Sequence, residues 1–225
     1  MDDLKLIFKD IFNVKVIDAS IDCCDYVALD LSVSNKNLDN LDMSSAQKME
    51  LFIKNYLVNH KAKVAFGGYN EKRNLYKRSS VFNHENVEER NIHIGLDLWI
   101  KAGTDVLAAL DGKVHSFQNN TSLGDYGPTI ILEHIINNIP FYTLYGHLYE
   151  ESLVNLQVGK SFSKGQKMAT LGNFPINGDY APHLHFQIIK NMEQYQGDYP
   201  GVCSENTLDY YLNNCPDPNL LLKIN

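Results

Sequence analysis

The sequence lacks several things, and each absence excludes a class of function. None of its 225 residues fall in an apolar run near the roughly 18 that a membrane-spanning helix needs, so no such helix is expected. It has no basic excess. Twenty Lys and Arg stand against 27 Asp and Glu, a net charge of −7, so neither nucleic acid nor an anionic membrane is an expected partner. Cysteine is sparse and unpatterned. Cys23 and Cys24 are adjacent while Cys203 and Cys215 lie apart, which is neither a CxxC metal site nor a disulfide framework. Free, mostly buried thiols in a reducing compartment are the expectation. The opening MDDLKLIFKDIF carries acids where a signal peptide carries Lys or Arg. That predicts a cytoplasmic protein, or one whose export signal is missing from this sequence. The phosphate-binding GxxxxGK[ST] and GxGxxG loops, the GxSxG elbow and HExxH are all absent. His84-Glu85-Asn86-Val87-Glu88 has Glu where HExxH needs its second His, and reads as a solvated charged segment.

What is present is a globular chain. Hydrophobic residues make up 44 % and charged residues 21 %, which argues against disorder and for one to two domains. Leu4, Ile7, Phe8, Ile11 and Phe12 recur at helical spacing. Val27, Leu29, Leu31 and Val33 alternate as a half-buried strand does. Ser44 and Gln47 fit a capping box ahead of a stripe of Met49, Phe52, Ile53, Tyr56 and Leu57. Residues 1–62 therefore read as a small N-terminal α/β extension without evident chemistry. From residue 63 to 225 the chain turns to short strands punctuated by glycine, among them Val64–Phe66, Asp97–Ile100, Thr129–Glu133, Phe141–Leu144 and His183–Ile189. This predicts a mainly β protein, an antiparallel sheet sandwich or partial barrel. Cys215-Pro216-Asp217-Pro218 ahead of Leu220–Leu222 reads as a turn and a closing segment.

The chemistry sits in the histidines. His183 and His185 are two apart, so in a strand they point to one face with Cα atoms roughly 6.6 Å apart. Leu184 and Phe186 then face the packed side. An isolated His-x-His is a weak signal, readily met on a solvent face. His93 and Asp97 would be roughly 13 Å apart on a straight strand, too far to share an ion, so the chain must bend between them. Gly95 stands midway and could supply that bend. Two His and one Asp make a three-ligand set with a fourth position open, as a catalytic zinc needs.

In this order the residues resemble the lysostaphin/LytM-type zinc endopeptidases, peptidase family M23, over roughly residues 93–190. His93-Ile-Gly-Leu-Asp97 resembles the family's HxxxD motif. Ala102-Gly103-Thr104 and Asp111-Gly112-Lys113-Val114 resemble its next strand pair, and Ile130–His134 with Tyr142-Thr-Leu-Tyr-Gly-His147 its hairpin ending in a catalytic histidine. His183-Leu-His185-Phe186 resembles its HLHF signature. The resemblance implies one zinc per chain on His93, Asp97 and His185, with His147 and His183 as the unliganded catalytic histidines. It implies hydrolysis of amide bonds in peptidoglycan-type peptides by metal-activated water, near Gly or D-Ala. It leaves open which of His147 and His183 is the base. A cytosolic zinc amidase on another peptide, and a non-catalytic binding module, are the alternatives.

Other residues carry weaker expectations. His134 reads as a strand residue, and His60 and His115 as surface or partly buried side chains. Tyr142 and Tyr145 read as core or cleft-wall aromatics. Arg73, Arg78 and Arg90, with Gly67-Gly68-Tyr69-Asn70, are candidates for orienting substrate carboxylates. Asn70 or Asn91 is a candidate for occupying the open zinc position, as an upstream Asn does in some members of the family that the motifs resemble.

Overall fold

The structure is a computed structural model describing residues 3–39, 41–78 and 88–224. His84–Val87 and the side chain of Arg78 lie outside the described residues. The strands in chain order are β1 (Tyr26–Ala28), β2 (Val64–Gly67), β3 (Glu71–Lys72), β4 (Ile92–His93), β5 (Leu96–Trp99), β6 (Asp105–Leu107) and β7 (Gly112–Asn120). They continue with β8 (Gly127–Ile136), β9 (Ile139–Gly146), β10 (Ser161–Phe162), β11 (Lys167–Thr170), β12 (His183–Ile189) and β13 (Val202–Cys203). The helices are α1 (Asp3–Lys9), α2 (Ala46–His60), α3 (Leu208–Asn214) and α4 (Asn219–Leu222).

Eight strands form one sheet in the order β1-β2-β5-β12-β9-β8-β7-β10. A two-stranded sheet (β11-β6) and a three-stranded one (β13-β4-β3) accompany it. This corrects the expected antiparallel sandwich or partial barrel. The main sheet is open, because its end strands β1 and β10 do not pair with each other. It is also mixed, because β1 joins β2 in parallel. Closure requires edge strands long enough to meet in register. Here the edges have three and two residues, and short edges resist further pairing.

Register decides what each face of the sheet carries. Side chains alternate along a strand and directly paired residues share a face. His185 pairs with Asp97 on one side and Gly146 on the other, and His183 pairs with Trp99. These side chains therefore share one face. Leu184 and Phe186 share the opposite face with Leu96, Leu98 and Tyr145, as their alternation predicts. That face builds the main core with Val64, Phe66, Ile130, Leu132, Phe141, Val106 and Ala169. Leu4 and Phe8 of α1, Ile17, and Leu221 and Leu222 of the closing segment belong to the same core, so both ends of the chain pack on it.

On the other face, Met49 and Ile53 of α2 pack with Leu29, Leu31, Ala65 and Trp99. A second cluster there joins Ile131, Leu144 and Ile189 to Ile92, Ile94, Tyr126 and Tyr199. The histidines lie between these two clusters. The cap of α2 is one residue later than expected: Ser45 accepts from the Lys48 amide, while Ser44 donates to Asp42. Of the four thiols, Cys203 and Cys215 are buried and Cys23 and Cys24 are exposed.

Candidate active site

His93 and Asp97 come together because their strands lie in different sheets. β4 pairs with β3 and β13, whereas β5 is central in the main sheet. The turn between them carries His93 Nε2 to 3.3 Å from Asp97 Oδ1. Gly95 matters for a reason other than the expected bend. A Cβ there would lie 2.5 Å from His185 Nε2 and closer still to Cε1, so its bare backbone makes room for the ring.

Three donors then converge. His93 Nε2 is 2.9 Å from His185 Nδ1, and His185 Nδ1 is 3.4 Å from Asp97 Oδ1. Tetrahedral zinc with donors at about 2.0–2.1 Å separates them by about 3.3 Å, so this triangle matches one face of such a site. The hydrogen-bond partners fix the tautomers. His93 Nδ1 faces the Gly68 carbonyl at 2.9 Å and must donate to it. His185 Nε2 faces Gln187 Oε1 at 2.9 Å, and the Gln187 amide nitrogen is turned toward the Pro200 carbonyl. Each ring is thus left with a lone pair directed at the other and at Asp97. Among the described residues, Asp97 Oδ1 is buried with no hydrogen-bond partner. Three converging acceptors repel one another unless a cation joins them, so the donor set fits a metal. These are the described residues that could hold one.

Their electrostatics agree. Burial pushes the His93 pKa down to about 4, keeping its lone pair free at neutral pH. Burial opposes ionisation of Asp97, but charge on His93 where that ring is protonated, and the permanently charged Arg73 at 2.6 Å, reverse this and hold the carboxyl well below its usual range.

His147 and His183 flank the cluster with their ring centroids 4.2 Å apart. His147 Nδ1 donates to the Asn177 carbonyl at 2.8 Å and His183 Nδ1 to the Ala181 carbonyl at 2.7 Å. Both therefore present an unprotonated Nε2, and that of His183 is 3.8 Å from Asp97 Oδ1. Burial lowers both pKa values, His183 to about 4 and His147 well below its usual range. His183 stacks on Trp99 at 4.0 Å. His147 has φ +64°, a left-handed conformation that costs on the order of 1–3 kcal/mol and clusters at functional sites. Its amide donates to the Tyr126 carbonyl and its carbonyl accepts from Gly172, so hydrogen bonds on both sides hold that conformation.

A cavity of about 170 Å³ opens over these side chains. Tyr76, Tyr126, Tyr180 and Tyr199 line it; in the sequence Tyr126 and Tyr180 mark only loops, and none of the four was a site candidate. Tyr126 donates to the Tyr199 carbonyl at 3.1 Å and lies 3.4 Å from His185 Nε2. Tyr142 and Tyr145 do not line the cavity. Tyr145 is on the core face, where it accepts from the Ala109 amide. His134 is on that face too, between the Asp111 carbonyl and Thr143. His115 contacts Ser116, and His60 is exposed at the end of α2. Of the candidate arginines, Arg90 lines the cavity and bonds the Val202 carbonyl. Arg73 also borders it, but is 1 % exposed and tied to Asp97 Oδ2 at 2.6 Å and to Glu71. Neither Asn70 nor Asn91 lines the cavity. The Glu71-x-Arg73 spacing, which puts opposite charges on one strand face, was the available signal for this pair.

Residues 91–196 match the model of peptidase family M23. No curated protein sequence matches the chain. Among solved structures, the catalytic domain of the antimicrobial peptidase lysostaphin from Staphylococcus simulans is 26 % identical, over 54 % of this chain and 80 % of that one, with TM-score 0.37. Csd3 from Helicobacter pylori is 23 % identical over 55 % of this chain and 32 % of its own, with TM-score 0.34. The A109H catalytic domain of the prophage-encoded M23 protein EnpA from Enterococcus faecalis is 20 % identical over 53 % and 87 %, with TM-score 0.37. Residues 91–196, the segment that matches peptidase family M23, contain His93, Asp97, His147, His183 and His185.

Proposed function

We propose that the chain is a zinc-dependent endopeptidase that hydrolyses amide bonds in peptidoglycan-type peptides, with one zinc held by His93, Asp97 and His185. The observation that carries this reading is the convergence of three buried acceptor atoms, one of them the unpartnered Asp97 Oδ1, beneath two histidines with free Nε2 atoms. Zinc bound there supplies Lewis acidity toward an amide carbonyl and lowers the pKa of a water toward about 7.

The chain supplies the proton handling. His147 and His183 are both neutral with an accepting Nε2, so either can take the proton of an attacking water. Once protonated, the same Nε2–H can hydrogen-bond a developing oxyanion or pass its proton to the leaving amine. Their Nδ1–H bonds to the Asn177 and Ala181 carbonyls keep the rings in the accepting tautomer. Gly124 and Gly201 stand among the walls of the tyrosine-lined cavity. The match of residues 91–196 to family M23 supports the wall-peptide assignment, and glycyl and D-alanyl bonds are the ones we expect to be cut.

The test is turnover by the zinc-loaded chain on a panel of wall peptides and ordinary L-peptides. Cleavage at Gly or D-Ala is expected, and His147→Ala should abolish it while zinc stays bound. Undiminished cleavage by His147→Ala would remove His147 from the reaction, and cleavage of L-peptides alone would overturn the substrate class.

A further inference from the structure

Arg73 is a buried cation that proton transfer does not use. Arginine is almost never fully buried unless paired, and this one is held on two sides. Its Nε donates to Glu71 Oε2, and its Nη1 donates to Asp97 Oδ2 at 2.6 Å. Glu71 is itself anchored, its Oε1 accepting from the Leu31 amide at 3.2 Å. The arrangement follows from register. Glu71 pairs with His93 across β3 and β4, and the Arg73 amide donates to the Asn91 carbonyl, so one short strand pair delivers His93, Glu71 and Arg73 together. Gly68, at φ +101°, clears the space. A Cβ there would lie 2.9 Å from both Arg73 Cζ and His93 Nδ1.

We propose that Arg73, charge-balanced by Glu71, is a positioning residue that makes Asp97 a single-oxygen ligand and thereby sets the affinity and coordination number of the metal site. A carboxylate can ligate through one oxygen or both. With Oδ2 committed to a charge-assisted bond, only Oδ1 is left to face the two imidazoles. Glu71 cancels the guanidinium charge, so the clamp orients Asp97 without adding net positive charge beside a cation. The inference rests on the metal reading proposed above.

The test uses Co²⁺ as the probe on the purified full chain and on Arg73→Met, Arg73→Lys and Glu71→Gln. Affinity is read by chelator competition, coordination by the visible absorption of bound Co²⁺, and folding by circular dichroism of the metal-free proteins. Arg73→Met is expected to lose about 10- to 100-fold in affinity, the usual effect of removing a partner that orients a ligand, and to shift the spectrum toward higher coordination. Arg73→Lys should recover little, because an ammonium cannot hold both carboxylates as the fork does. Glu71→Gln should lose affinity while keeping the wild-type spectrum. If Arg73→Met fails to fold, Arg73→Lys and Glu71→Gln carry the test. Wild-type affinity and spectrum in the folded variants would overturn the inference alone. No Co²⁺ binding by the wild type would overturn the metal reading and the inference with it.

Discussion

Gly95→Ala tests how the proposed metal site is seated. The added Cβ would stand 2.5 Å from His185 Nε2 and 3.1 Å from Nδ1. Ordinary contact begins at about 3.5 Å, so the ring must retreat by about 1 Å. It has little room, because the Tyr126 ring lies 4.9 Å away, centroid to centroid, and Tyr126 is itself buried. Overpacking of this kind costs about 1–3 kcal/mol, which a domain of this size survives. Metal sites tolerate donor displacements of only about 0.2 Å, so a shift several times larger should uncouple His185 from the other two donors. Since removing a mere supporting partner costs about 10- to 100-fold in affinity, displacing a ligand should cost more than about 100-fold. The assay is zinc affinity by chelator competition, with thermal unfolding of the metal-free protein as the control for folding. A folded Gly95→Ala protein that binds zinc within about threefold of wild type would refute the reasoning, since that change is well below even a supporting-partner effect.

Two further predictions concern parts of the fold away from the cluster. Burial pushes the His134 pKa down to about 4 from 6.5, so the unfolded chain takes up its proton first as pH falls. The stability this residue contributes is complete above about pH 6.5 and is lost progressively toward pH 4, about 3 kcal/mol in all. The difference in unfolding free energy between wild type and His134→Gln, measured by urea titration, should therefore shrink across that window; a constant difference would contradict the assignment. The thiols should divide two and two. Cys23 and Cys24 are exposed and should react with a thiol reagent in the native protein, while Cys203 and Cys215, whose pKa values burial raises to about 11 and about 12, should react only on unfolding. Four fast thiols would contradict the burial pattern.

The clustering of His93, Asp97 and His185 was more legible in the sequence than the architecture around it. His183 and His185 share a face because strand periodicity demands it, and Leu184 and Phe186 fill the core for the same reason. Spacing alone also required a bend between His93 and Asp97, and the structure supplies it as a change of sheet. Periodicity is silent on what lies beyond one strand. The parallel entry of β1, the short unpaired edges and the absorption of α1 into the main core are set by pairings between distant segments. The same holds for Arg73, whose charge suggested a substrate contact but whose partner Asp97 lies 24 residues on, in another sheet. Tyr126 belongs to a Gly-rich loop whose sequence signals only a turn, and its place over His185 comes from packing.

The most direct measurement is metal content by elemental analysis of wild type and His185→Ala, purified without chelators or a histidine tag. About one zinc per chain in wild type and none in the variant is what three converging donors predict. A wild-type protein that takes up no metal when zinc is supplied, or a His185→Ala protein that keeps a full complement, would contradict the account.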